Sequence, residues 1–381
     1  MCIRDSLCVV EDESLFSDNS ISSEAAALFS IDDSSVLFSK NAFETLYPAS
    51  ITKVMTALIA IKYGNLSDQV TVTDSAVITE QGATLCNIKP GDRLTLEQLL
   101  YGLMLPSGND AGAAIAQHMA GSCLLYTSLG HRLSTDENGG YVQSLGLEKI
   151  RKYATMFGLG QKTGVEVPEA TGHVDSREYR ESAGYSYYNG DILQLSIGQG
   201  YNFFSPIQLV SYTATLANQG KRMKLSLVDS IYSYNLDEKI HTFEPEVLDS
   251  FELDQSVWDT VKAGMVEVSR NGTAKYVFAN YPYDVAAKTG TPETNSNPNA
   301  VFIAYAPADD PQIAVAVVLE KGYYGYNAGV VAKAIFDAYF FPEEPADPIL
   351  PNSSNTPSSQ MSSQNTSQGQ NSSSASESTA P

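Results

Sequence analysis

Ser50-Ile51-Thr52-Lys53 sets a hydroxyl three positions ahead of an amine at the start of an apolar stretch, and that spacing puts both on one helix face. A Pro48-Ala49 lead-in and the apolar residues after the motif predict that Lys53 is at least half buried. Burial favours the neutral amine, which can take a proton from a serine nucleophile. The plain alternative is a surface lysine at a helix start. Ser107-Gly108-Asn109 comes just after Leu103-Met104-Leu105-Pro106 and just before an alanine-rich run. Facing inward between two buried helices, its serine can relay a proton and its asparagine can bind an amide; otherwise the motif is a helix cap. Lys288-Thr289-Gly290-Thr291 ends a strand-like run that starts at Asp284. A glycine inside a strand marks close approach of a ligand or a second backbone, and the lysine and threonine beside it can grip a carboxylate. A second Lys162-Thr163-Gly164 leads to Glu166 and Pro168 with no apolar strand before it, and reads as a turn.

Helices and strands must bring these stretches together. From Ile51, the positions Val54, Met55, Leu58, Ile59 and Ile61 recur at helical spacing, and Gly64 supplies a stop. Residues 96–104, preceded by the Thr95-x-x-Gln98 capping box, and residues 110–120 read as two more helices. Residues 26–31 and 36–38 flank Asp32-Asp33-Ser34-Ser35 as a hairpin. Residues 300–305 and 313–319 form a second, joined by Pro307-Ala308-Asp309-Asp310-Pro311, with helical spacing over 328–340 behind it. Helices therefore separate two groups of strands, as in an α+β fold.

Composition removes several functions. Asp and Glu outnumber Lys and Arg 44 to 23 in the 381 residues, a net charge of -21 that repels nucleic acid and the anionic face of a membrane. Apolar runs such as 313–319 fall far short of the roughly 20 residues a membrane helix needs. Cys2, Cys8, Cys86 and Cys123 form no CxxC pair, and the four histidines show no ligand spacing, so neither a metal site nor a disulfide framework is expected. Residues 352–381 are Ser, Asn, Gln and Thr with almost nothing apolar, the composition of a disordered tail. No basic segment leading into a long apolar stretch marks a secretion signal at the start.

Ser-x-x-Lys, Ser-x-Asn and Lys-Thr-Gly in this chain order are together the signature of penicillin-binding proteins and class A β-lactamases. The chain resembles a penicillin-binding D,D-peptidase. The resemblance implies an α+β fold, an antiparallel sheet flanked by helices, with a helical subdomain carrying Ser50 and Ser107 against the strand that bears Lys288. It implies that Ser50 is the acylated nucleophile, Lys53 its proton acceptor, Ser107 a proton shuttle and Asn109 a ligand of the substrate amide. Lys288 and Thr289, beside Gly290, would hold a terminal carboxylate, and the backbone N–H groups of Ser50 and Thr291 would form the oxyanion hole. The implied substrate is the D-Ala-D-Ala end of a peptidoglycan stem peptide, cleaved at the cell envelope outside the cytoplasm. Penicillin and other β-lactams would be covalent inhibitors, and neither cofactor nor metal is required. Transpeptidation and carboxypeptidation both remain open. A β-lactamase is disfavoured because the Glu-x-x-Leu-Asn context of the class A enzymes is absent from the sequence. A non-catalytic β-lactam sensor or wall-binding module is the rival from another functional class.

The resemblance changes along the chain. Residues 24–122, with Tyr47-Pro48-Ala49-Ser50 and Leu105-Pro106-Ser107-Gly108-Asn109-Asp110-Ala111, look like the first half of a D-alanyl-D-alanine carboxypeptidase. Residues 139–342, with Phe157-Gly158-Leu159-Gly160, Ser196-Ile197-Gly198-Gln199-Gly200, Gly272-Thr273-Ala274 and Ala287-Lys288-Thr289-Gly290-Thr291, look like the second half of a class B transpeptidase. Between them, 123–138 is the expected junction; 1–23 is a poorly defined N-terminal segment and 343–381 the disordered tail. Cys123-Leu124-Leu125-Tyr126-Thr127-Ser128 and Met1-Cys2-Ile3-Arg4-Asp5-Ser6 resemble translated sequencing-adaptor remnants, so the sequence is expected to be a mosaic of two genes. Half-cores that never adapted to one another would then lack close mutual packing.

Overall fold

The computed structural model describes residues 6–9, 23–79, 82–120, 134–135, 141–142, 145–186, 195–198, 200–235, 237–292 and 298–342. Most of the expected junction 123–138 and the whole of the tail 343–381 lie outside the described residues, as does most of the 1–23 segment.

Five antiparallel strands form the central sheet. In chain order they are β1 (Ala25–Ser30), β2 (Val36–Lys40), β3 (Ala286–Gly290), β4 (Ala300–Ala306) and β5 (Ile313–Leu319), and across the sheet they run β3-β4-β5-β1-β2. Both expected hairpins are present, with Leu28 opposite Phe38 and Phe302 opposite Val317. β4 is buried at every position and β5 at all but its last, so both read as unbroken apolar runs; strands covered on both faces have no polar side to show. The third strand begins at Ala286, two residues later than the sequence run suggests, and Asp284 ahead of it forms a surface ion pair with Arg270.

The longer helices are α1 (Thr52–Tyr63), α2 (Leu96–Met104), α3 (Asn109–Ala120), α4 (Leu145–Met156), α5 (Pro206–Ala217), α6 (Gln255–Arg270) and α7 (Gly325–Phe340). α7 lies on β4 and β5, α5 on β5, β1 and β4, and α6 on β3. α1 packs on α2, α3, α4 and α6, and so joins the helical region to the sheet side. The capping box before α2 is complete, with Thr95 Oγ1 accepting from Gln98 N and Gln98 Oε1 accepting from Thr95 N. A second box, Ser205 with Gln208, starts α5. The Lys162-Thr163-Gly164 copy lies in an irregular loop outside helix and strand, where Glu169 accepts from the backbone N–H of Thr163 and of Gly164.

One apolar core runs through both parts of the chain, from Phe29, Leu58 and Leu103 to Val268, Phe302 and Phe336. Close contacts cross between the residues before and after the expected junction. Thr56 Oγ1 donates to Ser196 O at 2.6 Å, Thr273 N donates to Leu105 O at 3.0 Å, and a Cβ on Gly112 would stand 2.7 Å from Ile197. A solvent-open apolar groove of about 550 Å³ lies between Ile61, Leu100 and Met104 on one side and Val261 and Gly264 on the other.

Candidate active site

Ser50 is the middle residue of a single 3₁₀ turn, Ala49–Ile51, that runs directly into α1. Ala49 holds a left-handed conformation, φ 47°, a backbone state that costs an L-residue about 1–2 kcal/mol. Two glycines fix this turn from outside. A Cβ on Gly198, itself at φ +85°, would stand 1.7 Å from Ala49 O, and one on Gly290 would stand 2.9 Å from Pro48 O. The close approach expected at Gly290 is therefore real, and the approaching group is the backbone that carries Ser50. The Gly198 contact has no local signature beyond a Gly-x-Gly pattern.

Lys53 occupies the first turn of α1 and is 0% exposed, deeper than the sequence spacing required. Its Nζ donates to Asn109 Oδ1 at 2.7 Å and to Ser107 O at 2.6 Å, and lies 3.2 Å from Ser107 Oγ. Ser107 is in the loop between α2 and α3, at φ 62°, and Asn109 is the first residue of α3; both are buried. Lys288 comes from β3, is also 0% exposed, and donates to Ser107 Oγ at 2.9 Å and to Thr289 O at 2.9 Å. Ser107 Oγ thus stands between two buried amines supplied by opposite ends of the chain.

Electrostatics follow from burial. Loss of water pushes the Lys53 amine down from 10.5 to about 7, against the opposing pull of Asp110 and Cys86. Lys288 is held well below its ordinary range by burial and by the Lys53 charge beside it. Two ammonium groups this close in a water-poor site repel one another, so the pair favours a state with at least one neutral amine at neutral pH. A neutral amine accepts the hydroxyl proton of Ser107, and Ser107 Oγ accepts from the other lysine; the bridge suits transfer of a proton between them.

The structure brings Lys53, Ser107, Asn109, Lys288 and Thr289 into one cluster. Ser50 adjoins it without being tied to it: among the described residues no hydrogen bond reaches the Ser50 hydroxyl, and Lys53 is directed to Ser107 and Asn109 instead. Thr291 lies just past the end of β3, exposed, with its Oγ1 accepting from Gly325 N at 3.2 Å. Sequence reasoning assigned no task to Thr273, whose hydroxyl lies 2.7 Å from that of Thr289, or to Asp110, whose carboxylate is 1% exposed. Both stand inside quoted motifs, but their contacts reach residues remote in sequence. Among the described residues no group of His, Cys, Asp and Glu is arranged to hold a metal ion, and no helix is long and apolar enough to cross a membrane.

A family model described as the penicillin binding protein transpeptidase domain matches residues 15–340. Penicillin-binding protein 2A of Bacillus subtilis is 34% identical over 214 residues, which cover 51% of this chain and 28% of that protein. Peptidoglycan D,D-transpeptidase MrdA of Escherichia coli K12 is 30% identical over 214 residues, 51% of this chain and 33% of that one. The crystal structure of Pseudomonas aeruginosa PBP2 in complex with WCK 5153 superposes with a TM-score of 0.64 at 24% identity, over 87% of this chain and 74% of that one. An antiparallel sheet backed by helices is thus the transpeptidase fold of penicillin-binding proteins. The chain belongs to the penicillin-binding protein transpeptidase domain family. It spans about a third of the length of the curated relatives it matches.

Proposed function

We propose that this chain is a serine D,D-transpeptidase that acts on the D-Ala-D-Ala end of peptidoglycan stem peptides through an acyl-enzyme on Ser50. One observation carries the reading: Ser107 Oγ bridges the buried amines of Lys53 and Lys288 one turn away from the Ser50 turn. In a 3₁₀ turn entering an α-helix, side chains at i and i+3 stack, so rotation of Ser50 about χ1 turns Oγ toward Lys53. Neutral Lys53 takes the hydroxyl proton as Oγ bonds to the carbonyl carbon of the scissile amide. The backbone N–H groups of Ser50 and Thr291 stabilise the oxyanion, each worth about 3 kcal/mol in acyl transfer. Ser107 passes a proton from the lysine pair to the leaving nitrogen, the C–N bond breaks, and D-alanine departs.

Asn109 bonds the peptide amide of the bound stem, and Lys288 with Thr289 provides charge and a hydroxyl for the terminal carboxylate. An acceptor amine then attacks the ester, its proton returns through Lys53 to Ser50, and the cross-link forms. Water in place of the amine gives carboxypeptidation by the same steps. The compartment this requires is the outer side of the cytoplasmic membrane, where stem peptides are cross-linked.

Labelling with fluorescent penicillin, with Ser50→Ala as control, tests the nucleophile; equal labelling of both removes Ser50 from that role. Incubation with a D-Ala-D-Ala peptide and an acceptor amine tests the reaction. Labelling without release of D-alanine would leave a β-lactam sensor.

The two-gene origin of the parts 24–122 and 139–342 is a separate proposal. The change of resemblance between the two parts and the adaptor-like Cys123-Leu124-Leu125-Tyr126-Thr127-Ser128 stretch between them support it. Long-read sequencing of the source locus decides it; an uninterrupted frame across residues 115–140 overturns it.

A further inference from the structure

Behind the Ser107–Asn109 turn, residues 84–88 cross as a short strap. Asn109 N donates to Thr84 O at 2.8 Å, which fixes one end of the strap to the turn. The other end is held by Asp110. Its Oδ1 accepts from Cys86 N at 2.9 Å and from Ala111 N at 2.9 Å, and its Oδ2 accepts from Ile88 N at 3.1 Å. The Cys86 thiol adds a contact to Oδ1 at 3.2 Å. A carboxylate buried this far costs several kcal/mol unless donors replace its water, and here the strap supplies most of them.

The middle position of the Ser-x-Asn motif is shaped by the same contact. A Cβ on Gly108 would stand 2.8 Å from Asp110 Oδ1, 2.8 Å from Gly102 O in α2 and 3.0 Å from Cys86 N, so the strap and α2 together leave room only for glycine. The turn, the strap and the carboxylate therefore form one rigid unit, and its inner side presents Ser107 and Asn109 to Lys53.

We propose that Asp110 is a positioning residue for this centre: its carboxylate clamps the 84–88 strap to the Ser107–Asn109 turn and so fixes Ser107 Oγ and Asn109 Oδ1 on Lys53. The proposal rests on the acyl-enzyme reading for its kinetic consequence, but not for its structural one. Asp110 also acts on Lys53 through space. The titratable groups that face Lys53 are Lys288 from β3, Asp110 from the first turn of α3 and the Cys86 thiol from the strap. Of these Asp110 supplies the negative charge, and it opposes the effect of burial on the amine.

Two measurements test it, both on the full chain. Hydrogen exchange reads the clamp without any turnover. The Cys86 or the Ile88 amide, whichever faces the new NH2 group, is expected to exchange at least tenfold faster in Asp110→Asn than in wild type, because that N–H loses the oxygen that accepted it. Unchanged exchange overturns the clamp, even in a chain that never acylates.

The rate of labelling by fluorescent penicillin across pH 5–9, normalised to the fraction of protein that finally labels, reads the effect on Lys53. Asp110→Asn is expected to lower the high-pH plateau at least tenfold and to move the acid limb to lower pH, since removing the carboxylate favours the neutral amine. Asp110→Glu keeps the charge but shifts the carboxylate by one methylene, and is expected to lower the plateau while leaving the limb in place. A wild-type plateau in either variant overturns the positioning role. The wild-type curve itself is the control for the acyl-enzyme reading, so the two failures are told apart.

Discussion

Lys288 Nζ stands 2.9 Å from Ser107 Oγ although 181 positions of chain separate the two residues. That contact closes a bridge of one hydroxyl between two buried amines, and the proposed proton transfer runs through it. An amine held neutral near physiological pH is a base of useful strength, whereas a solvated lysine, with a pKa of about 10.4, is not.

Acylation is therefore expected to rise through an acid limb centred near pH 7, the pH at which burial sets the Lys53 amine. Lys53→Arg, which stays charged throughout, is expected to lower the labelling rate by about 10²–10⁴-fold at every pH. Stopped-flow labelling with a fluorescent penicillin checks both.

The same burial makes stability depend on pH, with a definite sign. Lys53 gives up its proton at about 7 when folded and near 10.5 when unfolded, so between those values the unfolded chain binds more protons and stability rises with pH. Lys53→Met removes that dependence. The stability of wild type minus that of the variant is expected to climb toward pH 10 with a slope of up to about 1.4 kcal/mol per pH unit. Urea titrations at pH 7, 8 and 9 measure it; a flat difference would mean that Lys53 is not buried as an uncompensated charge.

Gly198 holds the Ser50 turn from behind. Gly198→Ala adds a Cβ 1.7 Å from Ala49 O in a left-handed conformation, and is expected to lose more than about 3 kcal/mol along with most of the penicillin labelling. Gly91→Ala is the control: its φ is +95°, but nothing lies within 4 Å, so only the backbone penalty of about 1–2 kcal/mol applies. Thermal melts of the two variants separate crowding from conformation.

Thr273 orients Thr289 through a hydroxyl contact of 2.7 Å. Thr273→Val keeps the shape and removes the contact, a loss of about 0.5–1.5 kcal/mol. The expected consequence is a KM for a D-Ala-D-Ala peptide raised about 3–10-fold, with the melting temperature little changed. An unaltered KM would mean that the Thr273–Thr289 contact has no part in binding that peptide.

Much of this protein was legible in the order of its residues. The Val- and Ile-rich runs at 300–305 and 313–319 have no stable alternative to adjacent buried strands, and the Thr95-x-x-Gln98 box marks the start of α2 by satisfying its free N–H groups locally. The three motifs identified a family because each is short and contiguous, and their order along the chain is itself information. Tertiary structure alone decided how far the motifs cooperate. Lys53 became a weakly basic amine because α2, α3 and β3 exclude water around it, which its neighbours in sequence do not do. Gly198 behind Ala49, Thr273 beside Thr289 and Asp110 beneath the strap act across gaps in sequence, through distances that only packing sets. The hydroxyl of Ser50 is the clearest case: its place one turn ahead of Lys53 follows from spacing, but its orientation is a side-chain torsion, which no pattern of residues specifies.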